Sequence, residues 1–219
     1  MPEIILMADA RVSAVPVEDS GEPLVDLREV AELRLDARMA DDEGAYAHVR
    51  SGHVERLRHA HSLLPAGLRL LVVEAFRPLA LQEQYFAAHA DRLRAAHPDW
   101  SQERVHVQTS RSLSPPPIGP HVCGAAIDLT LCTEDGEELD MGTAVNADPE
   151  ETDDACYTDS PDVSAHARGN RRLLGEALTA AGFVNYPTEW WHWSYGDRYW
   201  ALLTGAPAAL HDLVTWPTR

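Results

Sequence analysis

Lysine is absent from this chain; all 18 of its basic residues are arginine, set against 35 acidic ones. A phosphate-binding loop of the Walker type, a pyridoxal Schiff base and a Ser-Lys dyad each need a lysine, so all three are excluded. Positive charge is scarce overall, with a formal net charge of -17. Nucleic acid and anionic membrane surfaces both require a basic footprint, so neither is an expected partner. Only three cysteines occur, Cys123, Cys132 and Cys156, and no two stand in CxxC spacing. An odd, sparse count does not suggest a disulfide framework. No apolar run approaches the roughly 18 residues of a membrane span. The N-terminus has no basic stretch followed by a long apolar one, so the expected location is cytoplasmic. A length of 219 residues with 45% hydrophobic content predicts one domain with a core over about residues 25–204.

Periodicity predicts short strands at Val25–Leu27 and Glu32–Asp36, then a helix over Ala47–Leu64 that Pro65-Ala66-Gly67 ends. Leu68–Phe76 reads as a buried strand, Leu79–Ala96 as a helix started by Pro78, and 99–120 as a proline-rich loop. Ala125–Leu131 reads as a strand, with a hairpin turn at Glu134–Gly136 and a return at Glu138-Leu139. Residues 143–162 are acidic and irregular, a surface loop that could lie over a site. Ser164–Ala181 reads as a helix stopped by Gly182, and Asp197–Leu203 as a short one. Strands interleaved with helices and a hairpin predict an α+β fold, a small antiparallel sheet flanked by helices.

The chemistry gathers at Glu189-Trp190-Trp191-His192-Trp193. Bulky indoles exclude water from what they flank, and a Glu beside a His in such a setting reads as a general base next to a metal ligand. Upstream stand His121 and, seven positions on, Asp128 inside an apolar strand, with Gly124 between them to let the chain turn. A buried carboxylate is costly without a partner, and a metal is one. His121, Asp128 and His192 supply two nitrogens and an oxygen, and they leave a fourth position open, the arrangement of a hydrolytic zinc site. One Zn2+ per chain is the expected cofactor. Positions three apart on a regular strand face opposite ways, so Glu189–His192 must bulge or turn if both serve one centre. Arg77 ends a buried strand and suits the stabilisation of an oxyanion; Glu74 either pairs with it or is an ordinary surface carboxylate.

The blocks Glu74–Pro78, His121–Leu131, the turn at Gly142 and Glu189–His192 together resemble the D-alanyl-D-alanine dipeptidase family of VanX-type zinc peptidases, over roughly residues 25–196. The resemblance implies a small α+β fold shared with D-Ala-D-Ala metallopeptidases and the hedgehog signalling domain. It implies His121, Asp128 and His192 as zinc ligands, Glu189 as catalytic base, and Arg77 as the group that stabilises the tetrahedral intermediate. The implied activity is hydrolysis of the amide bond of a dipeptide such as D-Ala-D-Ala or of a related small amide. The alternatives are a cell-wall peptide carboxypeptidase or endopeptidase, and a non-enzymatic metal-binding module of the same fold. The chain departs from the family pattern where substrate is held. Gly119 replaces a serine two residues before the first ligand, Asn146 replaces an aspartate, and Met39–Glu43 replaces an aromatic and Asn-containing segment. Gly119 and Asn146 are therefore the expected substrate-contact positions, and loss of the Asp charge predicts a substrate other than plain D-Ala-D-Ala: a different dipeptide, or an amide whose amine is blocked or absent, although acidic residues of the 147–154 loop could replace the lost charge.

Overall fold

The computed structural model of the protein describes residues 4–216. In chain order it contains helix α1 (Ala10–Ser13), strands β1 (Leu24–Asp26), β2 (Arg34–Leu35) and β3 (His48–Arg50), helix α2 (Gly52–Ser62) and strand β4 (Leu68–Glu74). Helices α3 (Leu79–Ala96) and α4 (Gln102–Thr109), strand β5 (Ala126–Thr133) and helix α5 (Ala165–Ala180) follow. The chain closes with strands β6 (Val184–Asn185) and β7 (His192–Ser194) and helix α6 (Arg198–Thr204). The fold is α+β. A five-stranded sheet runs β2-β4-β5-β7-β6, and β1 pairs with β3 separately. The larger sheet is antiparallel apart from its edge strand β2, which lies parallel to β4.

Strands β4 and β5 form the spine because both are mainly apolar and buried along most of their length, with polar exceptions such as Glu74 and Asp128. Ile127, Leu129 and Leu131 alternate onto the core face, where they meet Leu70, Val72, Leu174, Leu178 and the indoles of Trp190, Trp191 and Trp193. Helix α5 lies over this core; Ser164 caps it by accepting from the Ala167 amide at 3.0 Å.

Two local expectations give way to longer-range pairing. The helix expected from Ala47 begins at Gly52, because His48–Arg50 pairs with β1 and because the Tyr46 and His48 carbonyls accept from the Ala75 and Phe76 amides at 2.7 and 2.8 Å. The loop expected over 99–120 contains α4, capped by Ser101, which accepts from Arg104 N at 3.1 Å. Val105 and Trp100 pack there against Ala90 and Leu93 of α3. The hairpin return is reduced to a single bridge between Glu138 and Cys132.

On α2, His53 is fully buried and bonded through Nε2 to the Ala125 carbonyl at 3.0 Å. Burial pulls its pKa down to about 3 despite that bond, and the nearby His211, Arg56 and Arg50 lower it further. The imidazole is therefore neutral in the fold, whereas the unfolded chain takes up a proton near its ordinary value. Stability must then fall as pH drops through about 6.5 towards 3, by roughly 2–3 kcal/mol over the first two units. Urea denaturation of wild type and His53→Gln tests this. The variant should lose less stability between neutral and mildly acid pH; equal losses would contradict the assignment.

Candidate metal centre and cleft

Sheet register builds the centre. Asp128 on β5 stands directly opposite Glu74 on β4 and opposite His192 on β7. Residues directly opposite share a face, so the three polar side chains form one row across the sheet. The pairing steps from Val72–Leu129 to Glu74–Asp128, which leaves Val73 as a bulge. In unbroken register Glu74 would stand opposite Ile127 and face the core, and the bulge turns it towards the row.

His121 enters from a tight 3-10 turn, His121–Cys123, closed by Gly124 at φ +69°. A Cβ on Gly124 would also lie 2.5 Å from Leu24 Cδ2, so glycine is needed there for conformation and for space. His121 Nδ1 donates to the Ala75 carbonyl at 2.6 Å. That bond fixes the proton on Nδ1 and leaves Nε2 with a free lone pair.

The Glu189–His192 stretch is a turn. The Glu189 amide donates to Tyr186 O at 2.9 Å, and the His192 amide donates to Glu189 O at 3.2 Å. Asn185 Nδ2 donates to both the Glu189 and His192 carbonyls at 3.0 Å, which pins the turn to the sheet edge. In this way Glu189 Oε2 comes within 3.7 Å of His192 Nδ1.

Three ligand-type atoms converge. His121 Nε2 lies 3.2 Å from His192 Nδ1, His192 Nδ1 lies 3.0 Å from Asp128 Oδ1, and Asp128 Oδ1 lies 3.4 Å from His121 Nε2. All three residues are buried and meet the spacing of a metal-binding group. With metal–ligand bonds of about 2.0–2.1 Å, adjacent corners of a tetrahedron stand about 3.3–3.4 Å apart. The triangle matches one face of such a tetrahedron, and a donor set of two imidazoles and a carboxylate fits zinc. His192 Nε2, also buried, has no hydrogen-bond partner among the described residues, so only the Nδ1 side of that ring is engaged.

Charge is distributed unevenly across this small volume. Burial opposes ionisation of Asp128, but the two imidazoles outweigh it and hold the carboxyl well below the usual carboxylate range. Glu189 goes the other way: burial raises its pKa well above normal and the Asp128 charge adds to this, while Arg77 opposes it. Burial lowers the pKa of His192. Arg77 is clamped by Glu74, with Nε to Oε1 at 2.8 Å and Nη2 to Oε2 at 2.5 Å, and its third nitrogen donates to Gln82 Oε1 at 2.6 Å. The sequence left Glu74 open between partner and surface residue; it is the buried partner.

These groups open onto a cleft of about 570 Å³. Arg77, Glu189, Asn146, Asp148 and Met39 line it, together with one face of α3 formed by Tyr85, Ala88, His89 and Arg92. Asn146 takes a left-handed conformation, φ 63°, at the start of the acidic loop. Asp148 is already paired with Arg92, and Glu151 lies 3.8 Å from the same guanidinium. Gly119 is not among the residues that line the cleft; it borders a small recess beside Cys123 and Asp197. A Cβ on Gly119 would point at Ser114, 3.4 Å away, and Ser114 itself reaches the cleft. Of the 39–43 segment only Met39 lines the cleft, because Asp41 is occupied in accepting from the amides of Glu43, Ala45 and Tyr46. Sequence reasoning also missed Gln82 and the α3 wall. The spacing of Tyr85, His89 and Arg92 marks one helical face, but nothing local says that this face meets a cleft.

Fold, buried polar row and cleft together define a hydrolytic metalloenzyme. The chain belongs to the D-ala-D-ala dipeptidase family of Peptidase M15, whose family model matches residues 29–204. A D-alanyl-D-alanine dipeptidase of Synechocystis sp. is 31% identical, over 86% of this chain and 87% of that one. The Escherichia coli D-alanyl-D-alanine dipeptidase is 33% identical over 58% of this chain and 55% of its own length. Among solved structures, VanYB in complex with D-Ala-D-Ala overlays with a TM-score of 0.42 at 14% identity, over 82% of this chain and 88% of that one, too loosely for a residue-level argument. The protein is a peptidase-type hydrolase. Among the described residues, no helix is long and apolar enough to cross a membrane.

Proposed function

We propose that this chain is a zinc-dependent dipeptidase that cleaves the amide bond of a D-Ala-D-Ala-like dipeptide whose amino end is altered or blocked. The observation that carries the metal assignment is the triangle of His121 Nε2, Asp128 Oδ1 and His192 Nδ1, with edges of 3.0–3.4 Å, beside a buried Glu189. A zinc ion held by those three atoms would supply the Lewis acidity that activates water and polarises the scissile carbonyl. Glu189, at 3.7 Å from the ligand nitrogen of His192, takes the proton from the attacking water and later returns it to the leaving amine. Arg77 is held rigid by Glu74 and Gln82 and donates to the oxygen that gains charge as the carbonyl is attacked. The Trp190 and Trp191 rings pack edge to face and are buried, and Trp191 lines the cleft beside Glu189.

The altered amino end follows from charge. Asn146 brings no carboxylate to the cleft, and the nearby Asp148, which lines it, is paired with Arg92. A free ammonium would find no unpaired buried acid there, whereas an amide or a neutral group would meet the Asn146 side chain. Amine release from free D-Ala-D-Ala, from other free dipeptides and from N-acylated dipeptides, with and without chelator, tests the reading. Chelator-sensitive hydrolysis with N-acylated substrates turned over at least as well as free ones is expected. A strong preference for free D-Ala-D-Ala would overturn the altered amino end, and no hydrolysis of any dipeptide would overturn the function.

A further inference from the structure

Helix α5 buries Ala167, Leu174, Ala177 and Leu178, as an amphipathic helix should, but it also buries Asn170 and Arg171 on that face. Asn170 Nδ2 donates to Asp140 O at 2.8 Å. Arg171, only 4% exposed, donates from Nε to Met141 O at 2.7 Å, from Nη1 to Tyr157 O at 2.7 Å, and from Nη2 to Ala155 O at 3.0 Å and Thr143 Oγ1 at 3.4 Å. All of these acceptors are neutral. Burial pulls its pKa down to about 10, so the group remains a cation at neutral pH. A buried cation held only by neutral acceptors is an expensive way to anchor a helix, since an apolar side chain would pack there without the desolvation cost.

The acceptors explain the choice. Met141 and Thr143 begin, and Ala155 and Tyr157 end, the segment that carries Asn146, Ala147, Asp148 and Glu151 into the cleft. A planar fork of donors can hold both ends of such a loop at once, which a single point of charge cannot. The same segment is tied to the catalytic turn: Trp190 Nε1 donates to Thr143 Oγ1 at 2.9 Å, and the Trp190 amide donates to Cys156 O at 3.2 Å. The Arg171 guanidinium carbon lies 5.6 Å from the Trp190 ring centre. Arg171 itself is not among the residues that line the cleft.

We propose that Arg171 is a positioning residue for substrate recognition, a clamp that closes both ends of the 141–157 segment and so holds Asn146 and Asp148 in register with Glu189. The proposal rests on the cleft being the peptide site. Arg171→Lys keeps the charge and loses the span. In the metal-loaded protein it should speed amide hydrogen exchange across 143–155 at least ~10-fold while exchange in β4 and β5 stays unchanged. It should raise KM for the preferred dipeptide about 5–10-fold and leave kcat within ~3-fold, the signature of lost binding rather than lost chemistry. Should that variant not fold, Thr143→Val, a near-isostere that removes the hydroxyl shared by Arg171 and Trp190, is expected to shift both readouts in the same direction by less. Wild-type exchange over 143–155 together with unchanged KM would overturn the clamp, as would a uniform rise in exchange over the whole chain with KM unchanged. Absence of any dipeptide hydrolysis by wild type would remove the function instead, and exchange over 143–155 would still decide the clamp.

Discussion

Replacement of Glu189 with glutamine should lower turnover at least ~10²-fold while the protein keeps its metal, the low end of what loss of a general base costs. The substitution preserves size and the capacity to accept a hydrogen bond, and it removes the charge and with it the ability to take and return a proton. None of the three converging ligand atoms belongs to Glu189, so metal content should not change. The same variant should be at least as stable as wild type in its metal-free form. Burial and the neighbouring Asp128 both raise the proton affinity of Glu189, which means that its charge is unfavourable where it sits. A neutral amide relieves that cost. Gain or retention of stability with loss of activity is the mark of a group kept for chemistry. Turnover near wild type in Glu189→Gln would remove it from the mechanism; a parallel loss of metal would make it a ligand instead.

The second large effect is expected at Arg77. Arg77→Met leaves Glu74, 2% exposed, as a buried carboxylate without its partner, and takes the donor from Gln82 Oε1. Breaking a buried pair in this way costs about 3–5 kcal/mol. Loss of an oxyanion donor separately lowers turnover about 10²–10³-fold. The two roles can be pulled apart with the double variant Arg77→Met/Glu74→Gln, in which no orphaned charge remains. Chemical denaturation of this variant should show most of the lost stability restored, and its turnover should stay as low as that of the single variant. Recovery of turnover along with stability would make Arg77 a structural residue and leave the oxyanion without a protein donor.

The candidate metal cluster and its neighbouring Glu189 were readable because each member broke a local rule. Asp128 interrupts an apolar strand, His121 precedes a glycine that only a tight turn explains, and Glu189 and His192 sit among indoles at a spacing no strand allows. Their joint location could be argued from ligand chemistry alone. What stayed hidden depends on partners distant in sequence. The bulge at Val73, which turns Glu74 to Arg77, exists only in the register of β4 against β5. Strand β3 replaces the first turn of an expected helix because residues 75 and 76 donate to its neighbourhood. Gly119 is expected at the substrate from the family resemblance, whereas Ser114 is the residue of this loop that lines the cleft and Gly119 borders the recess beside Cys123 and Asp197. Nothing in the sequence separates Arg171 from Arg168 and Arg172; in the fold its burial and its reach to the Met141, Ala155 and Tyr157 carbonyls do so. The α3 wall was missed for the same reason: a helical face is visible in sequence, but what it faces is not.

The central claim is that His121, Asp128 and His192 together hold a zinc ion on which hydrolysis depends. The most direct measurement is metal content per chain, read by mass spectrometry on the same samples assayed for amine release, in wild type and in His192→Ala. Wild type should carry one zinc per chain, lose activity on chelation and regain it with one equivalent of zinc, and His192→Ala should retain neither metal nor activity. Undiminished hydrolysis by metal-free wild type, or full zinc occupancy in His192→Ala, would contradict the account.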